Sequence, residues 1–397
     1  MDRMTVEHTA VLVRYGEIGV KSRQTRRRMS RLLARHIRSA LREHDIPFSN
    51  IRVEFGRIFV ESKSAKRAAT VISSIFGVVS TSPVVVTDAT MESILETGVA
   101  VARESFGPGL SFAVGARRMG EHSFTSQEIR EQLGARILNE LDDLNLRVNL
   151  RSPDQIIYVE VRDKSSYIFT ETVPGVGGLP TGSQGPVVCI VTGDASSAVA
   201  AYRIMRRGCV PVWLLFDTSG NSSVLRATVR SQVEALSRYI YNYDVLLYAV
   251  PYRRETRLLS ELGRTLACLL CRRSMLRVAR EVLRREDADA IVTGDMIGEG
   301  QQGGLQQLQT IAEAVGGVPV LTPCAGDDVV QVTREAVELG LSCQTDTCHA
   351  CGIATQIGDE SEVTLGSIIE AEESAGMLSP VEVVDRSEVV LVRGRRS

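Results

Sequence analysis

Cys268 and Cys271 stand in a Cys-x-x-Cys at the start of a long apolar and basic helical stretch, one turn apart and on one helix face. Cys348-His349-Ala350-Cys351 repeats the spacing, with Cys343 just before it. Thiolates so spaced hold soft metals or iron-sulfur clusters, or carry sulfur as persulfides. The stretch between the pairs is far longer than in a compact zinc ribbon, so four readings stay open: an iron-sulfur cluster, a structural zinc, a persulfide relay, or unrelated buried thiols. His349, between two candidate ligands, is awkwardly placed to join them, and His122 reads as an exposed loop histidine. Cys189, Cys209 and Cys324 lie in apolar strand or turn contexts and read as core.

A second stretch able to do chemistry runs from Val187 to Asp217. Val187 to Val191 is a buried-strand run, and Thr192-Gly193-Asp194-Ala195-Ser196-Ser197 a small polar loop. A helix then turns Val199, Ala200, Ile204 and Met205 inward until Gly208, before another buried strand at Val210 to Phe216. Such a unit aims loop amides and a helix N-terminus at a docked phosphate. The loop resembles the pyrophosphatase (PP) loop Ser-Gly-Gly-x-Asp-Ser of enzymes that adenylate a carbonyl oxygen. Thr192, Gly193 and Ser197 fit, whereas Asp194 replaces the second glycine and Ser196 the aspartate. A carboxylate at that glycine is expected to face the phosphates it should cradle.

These residues need elements to position them, and a chain of 397 residues holds two or three domains. Net charge is only -2, yet Lys21 to Arg42 carries nine basic residues and no acidic one. That cluster implies an N-terminal surface for a polyanion such as nucleic acid. No apolar run spans a bilayer and no secretory signal opens the chain, so no membrane contact and a cytoplasmic location are expected. Cysteines in that reducing compartment favour metal or sulfur chemistry over disulfides.

Along the chain, a strand at Ala10 to Arg14, the loop Tyr15 to Lys21 and a helix to about Glu43 come first. A hairpin around Phe55-Gly56-Arg57 and a helix from Ala65 to Phe76 complete a ferredoxin-like α+β unit over residues 1–77. Residues 78–180 read as a second unit: a strand at Val84 to Asp88, a helix from Met91, a strand at Ser111 to Ala116, a helix capped by Thr125 or Ser126, and two alternating strands. Pro174 to Gly182 is the clearest linker, followed by a parallel-sheet domain at 181–345 and an acidic tail at 346–397 in which Val383 to Val392 reads as a strand.

The segments RYGEIGVKS, FAVGARRMGEHSFTSQEI, IIYVEVRDKSSYIFTE and VPGVGGLPTGSQG resemble the ferredoxin-like and THUMP regions of the tRNA 4-thiouridine synthetase family, ThiI. The resemblance continues through AVAAYRIMRRG, CRRSMLRVA and AIVTGDMIGEG, to about residue 340. It implies a multidomain α/β and α+β chain, with a ferredoxin-like unit, a THUMP domain and a PP-loop domain of the adenine-nucleotide α-hydrolase type. It implies tRNA as partner, with Lys21, Arg27, Arg28, Arg31, Arg117 and Arg118 as backbone contacts. ATP with magnesium would adenylate a uridine carbonyl oxygen, after which a sulfur donor, sulfide or a persulfide carrier, displaces AMP. Ile190, Val191 and Phe216 would line the adenine pocket with Thr192, Gly193 and Ser197 beside the phosphates, Arg272 would approach them, and Gly294 would admit the nucleotide to the backbone. Archaeal-type members lack the sulfur-carrying rhodanese domain, for which this chain leaves no room, and hold an iron-sulfur cluster. Cys268, Cys271 and Cys348 are the corresponding ligands, with Cys343 or Cys351 as a fourth that would close the cluster. A homodimer is also compatible.

The pattern is broken at the PP loop, at Val329 in place of a lysine and at Gly303 in place of a glutamine, with Gln301 and Gln302 close by. Two expectations therefore stand side by side. The first is an ATP-dependent tRNA sulfurtransferase making 4-thiouridine; the alternative is a non-adenylating tRNA-binding relative that relays sulfur or partners another modifying enzyme.

Overall fold

The computed structural model describes residues 7–218, 222–260, 264–298, 305, 311, 313–344 and 365–394. Two compact units meet in sequence between Gly178 and Leu179.

In the first unit the strands β1 (Ala10–Tyr15), β2 (Asn50–Glu54), β3 (Arg57–Glu61), β4 (Val78–Asp88), β5 (Ser111–Met119), β6 (Arg147–Val148), β7 (Gln155–Arg162), β8 (Ser165–Phe169) and β9 (Val173–Pro174) make one sheet. Its order is β2-β3-β1-β4-β8-β7-β5-β6, with β9 paired to β4. The helices are α1 (Arg23–Glu43), α2 (Ala65–Ser73), α3 (Met91–Ser105) and α4 (Ser126–Glu140). Helix α1 buries Met29, Leu32, Leu33, Ile37 and Leu41 on one stripe. Thr125 caps α4 in a capping box with Glu128.

The strand expected at Val84 to Asp88 begins at Val78 instead, and serves both halves: it pairs with β1 along its first part and with β8 along its second. Ser80, Ser82 and Pro83 hid its beginning, because Pro lacks a ladder donor and short polar residues read as a loop. The sheet curls so that the β2–β3 hairpin meets β7 and β8. Phe59 stacks on Tyr167 with centroids 4.4 Å apart, and Arg57 pairs with Glu160 at 3.1 Å. Arg162 takes the other Glu160 oxygen at 2.6 Å. Burial, then Arg57 beside it, lowers the Arg14 guanidinium to about 10. Breaking one side of a buried ion pair costs about 3–5 kcal/mol, so these contacts fix the curl. The glycine-rich stretch after β9 packs back on the unit, since a side chain at Gly175 would meet the Val78 carbonyl oxygen at 2.3 Å.

The second unit is built on β10 (Pro186–Val191), β11 (Val210–Asp217), β12 (Val245–Pro251), β13 (Ala290–Val292), β14 (Val320–Leu321) and β15 (Glu388–Arg393), in the order β14-β13-β10-β11-β12-β15. All pairs are parallel except β12 with β15. Its helices include α5 (Ala195–Arg206), α6 (Ser222–Ser237), α7 (Arg253–Leu259) and α8 (Arg264–Arg285). Val188, Ile190, Leu214 and Val250 form a core with Leu270, Val278 and Val282 of α8 and with Ile368, Val383 and Val384 near the C-terminus. The strand expected from Val383 starts only at Glu388: Ser379 and Glu382 make a capping box with Pro380 at the first turn, so Pro380–Asp385 is a helix. Among the described residues, no helix is long and apolar enough to cross a membrane.

Candidate functional site

Strand β10 lies between β11 and β13, so the connections leaving its carboxyl end and that of β13 open a crevice at a topological switch point, where open parallel sheets take ligands. The loop after β10 stands at that crevice. Gly193 has φ +86°, a left-handed conformation that suits glycine. Ser197 Oγ accepts from the Thr192 amide and its hydroxyl, each at 3.2 Å. From below, Gln232, only 1% exposed, donates to the Gly193 and Ser342 carbonyls at 3.1 and 2.9 Å, and the Gln344 amide reaches the Gly193 carbonyl at 2.9 Å. The Gly193 and Asp194 carbonyls are thus held from α6, while the Thr192 and Ser197 amides are taken up within the loop by the Ser197 hydroxyl and the Asp194 carboxylate.

Asp194 is the N-cap of α5: its Oδ1 accepts from the Ser197 amide at 2.9 Å and from the Ser196 hydroxyl at 3.3 Å. Its carboxylate thus takes up a helix-terminal amide that a phosphate would otherwise engage. It does so as a cap on its own helix, a role the loop comparison did not anticipate.

The structure brings most of the expected nucleotide residues together. Ile190 and Val191 end β10, and Phe216 stands next to last in β11 with its ring edge-on to Tyr252, centroids 5.0 Å apart. Gly294 follows β13, and a Cβ there would lie 2.4 Å from the Ser197 amide nitrogen, so glycine lets this loop close against the start of α5. Arg272, from α8, is paired with Asp295, whose other oxygen takes the Thr293 hydroxyl at 2.7 Å. Asp217, 6% exposed at the carboxyl end of β11, accepts from Arg226 at 2.8 Å, and its second oxygen has no partner among the described residues. Sequence reasoning missed Asp295, Asp217 and Gln232. Asp295 lies in the quoted AIVTGDMIGEG, one residue past Gly294, whereas Gln232 sits in a helix with no motif. Val329 is 45% exposed at the start of the helix Val329–Glu338, capped by Asp328. Gln301, Gln302 and Gly303 lie outside the described residues.

Of the thiols, Cys271 is 7% exposed in the core and Cys268 packs against the same cluster with partial exposure. One helical turn apart, they offer two sulfur donors from one side of α8, which fits a soft metal or a cluster as part of a ligand set. Cys348, Cys351 and His349 lie outside the described residues. Burial raises the thiols of Cys189, Cys209 and Cys343 and pushes Cys324 up to about 11, which keeps them protonated and poor nucleophiles near neutral pH. Cys189 and Cys324 are buried as expected.

In the first unit Arg23, Arg27, Arg28, Arg31, Arg35 and Arg38 line one open surface concavity along α1. Arg27, Arg28, Arg31 and Arg35 are exposed, without ion pairs to the described residues; Lys21 is exposed just before the helix. Arg117 is exposed on β5, while Arg118 donates to the Gly120 carbonyl at 3.0 Å. His122 is half-buried and bonds the Asp163 carbonyl at 2.8 Å.

Family models match in three places along the chain: the ThiI ferredoxin-like domain at residues 10–82, the THUMP domain at 88–171 and the thiamine biosynthesis protein (ThiI) at 182–364. A probable tRNA sulfurtransferase of Methanosarcina mazei is 36% identical over 74% of this chain and 73% of its own. One from Methanosarcina acetivorans is 33% identical over 89% and 86%. A crystal structure of a 4-thiouridine synthetase in complex with RNA and bound ATP matches with a TM-score of 0.79 at 25% identity, over 96% of this chain and 99% of that one. A Pyrococcus horikoshii crystal structure matches with a TM-score of 0.67 at 28% identity, over 84% and 100%. The ferredoxin-like, THUMP and ThiI models follow one another along this chain in the order in which the stretches were read, and the chain belongs to the ThiI family of tRNA sulfurtransferases.

Proposed function

We propose that this chain makes 4-thiouridine in tRNA by ATP-dependent activation of a uridine carbonyl followed by sulfur transfer. The observation that carries this reading is the rigid Thr192–Ser197 loop at the switch point of the parallel sheet, on a chain that also carries an unpaired arginine stripe. In the first step uridine O4 attacks the α-phosphorus of ATP, the bond to the bridging oxygen breaks and pyrophosphate leaves. A sulfur nucleophile then adds at C4, and AMP departs with the original oxygen. The Gly193 amide and the start of α5 receive the phosphates, and Arg272 swings from Asp295 to offset their charge. Ile190, Val191 and Phe216 are buried at the ends of β10 and β11 and back the adenine from within the core, and the buried oxygen of Asp217 that has no partner among the described residues is the acceptor offered to a ribose hydroxyl. Asp194 would face the magnesium that accompanies ATP, a cation that would offset its repulsion of the phosphates.

Cys268 and Cys271 would hold an iron-sulfur cluster together with Cys348, and Cys343 or Cys351 as a fourth ligand would close it. Such a cluster supplies bound sulfide as donor when one iron lacks a protein ligand. The chain's own contribution is a half-buried thiol pair anchored on α8. The alternative of a non-adenylating relative is favoured by one observation, the Asp194 carboxylate on the Ser197 amide.

Reversing Arg27, Arg28 and Arg31 to glutamate tests the tRNA surface. Removing about three phosphate contacts lowers the slope of log affinity against log salt by roughly 2–3, with weaker binding at every salt concentration. Filter binding or anisotropy with unmodified tRNA across a salt series checks it, and an unchanged slope moves the binding surface elsewhere.

A further inference from the structure

The turn between β2 and β3 presents Phe55 outward with 64% of its surface exposed. A single exposed apolar side chain is ordinary, but this one is held. All three carbonyls of the turn are engaged. Tyr15 Oη donates to Glu54 at 3.3 Å and accepts from the Gly56 amide at 2.9 Å; Arg162 donates to Phe55 at 3.2 Å; Arg57 donates to Gly56 at 2.8 Å. Tyr15 and Arg162 are themselves buried, and Gly56 supplies the positive φ that the turn requires. The backbone of the turn is therefore fixed, and the ring is presented at no further ordering cost.

One side of the ring carries the Arg26 guanidinium, 4.7 Å from the centroid, and Arg26 also reaches the Gly19 carbonyl at 3.4 Å. Arg26 belongs to α1, the helix that carries the exposed arginines. An aromatic ring backed by a cation, at the start of the helix whose other side carries the arginine row, has the composition that stacks an unpaired nucleobase. Bases inside a duplex are already stacked, so only a single-stranded nucleotide can use the ring.

We infer that Phe55 is a stacking platform for an unpaired nucleotide of the bound RNA. The inference rests on the tRNA reading above and adds to it the kind of nucleotide contacted. The cation held on the ring selects RNA over a protein partner, since an apolar protein contact would gain nothing from Arg26.

The test compares wild type, Phe55→Ala and Phe55→Tyr for binding of unmodified tRNA and of a blunt RNA duplex with no unpaired nucleotide. Loss of one stacked base weakens tRNA binding by Phe55→Ala by roughly 5- to 100-fold, and Phe55→Tyr stays within about twofold of wild type. Affinity for the blunt duplex stays the same, and so does the salt slope, because no phosphate contact is removed. Thermal melts should superimpose, the ring being exposed. Equal tRNA affinity of wild type and Phe55→Ala overturns the stacking role and leaves the tRNA reading intact. So does an equal loss on the blunt duplex, which would make the ring a general apolar contact. A wild type that binds neither RNA overturns the functional reading and this inference with it.

Discussion

Asp194→Gly is expected to tighten binding of magnesium-free ATP by about two orders of magnitude. A carboxylate some 5 Å from a phosphate charge at an effective dielectric of about 20 opposes it by about 3 kcal/mol, which is the size of that change. The substitution also frees the Ser197 amide, now taken by Asp194 Oδ1 at 2.9 Å. The cost to folding is small, since glycine replaces an N-cap carboxylate with a loss of only a few tenths of a kcal/mol. With magnesium present the gain shrinks, because the cation already sits against the negative charge. Calorimetric titration of ATP into wild type and variant, with and without magnesium, gives the four affinities. Equal values with and without the carboxylate would show that no phosphate docks at the start of α5.

The second large effect is expected at Cys268. Cys268→Ala should lose iron and acid-labile sulfide to background after anaerobic purification, and lose tRNA thiolation with them. Cys268 is only partly buried, so the truncation leaves a small cavity and a nearly unchanged melting temperature. Cys271 lies at 7% exposure within the core, and its replacement would mix lost ligation with lost packing, which makes Cys268 the cleaner site. Zinc in the wild type, or no metal, would remove the sulfur-donor role of the thiol pair and leave sulfur delivery to an external carrier.

Much of the fold was legible because local signals agreed with the tertiary outcome. The apolar stripe of α1, the capping box at Thr125 and Glu128, and the buried runs at Val187 to Val191 and Val210 to Phe216 fall where periodicity puts them. The start of β4 was hidden because its pairing partners lie far along the chain and its own residues favour a loop. Glu160 and Arg57 are 103 residues apart, so their burial as a pair depends on the curl of the sheet and leaves no local trace. In the site, the loop stood out by composition, but the role of Asp194 did not: a carboxylate near a phosphate and a carboxylate capping a helix look alike in sequence. Gln232 was illegible for a similar reason, because an amide inside a helix shows nothing of the carbonyls it will meet.

The central claim is that uridine activation by ATP precedes sulfur transfer at the Thr192–Ser197 loop. The most direct measurement is pyrophosphate release by the purified chain with unmodified tRNA, ATP, magnesium and sulfide, alongside 4-thiouridine in the recovered tRNA. The account predicts pyrophosphate and 4-thiouridine in equal amounts, both dependent on tRNA and both lost without ATP. Bound tRNA with neither product, under conditions where ATP and sulfide are in excess, would contradict it and leave a tRNA-binding relative that does not adenylate.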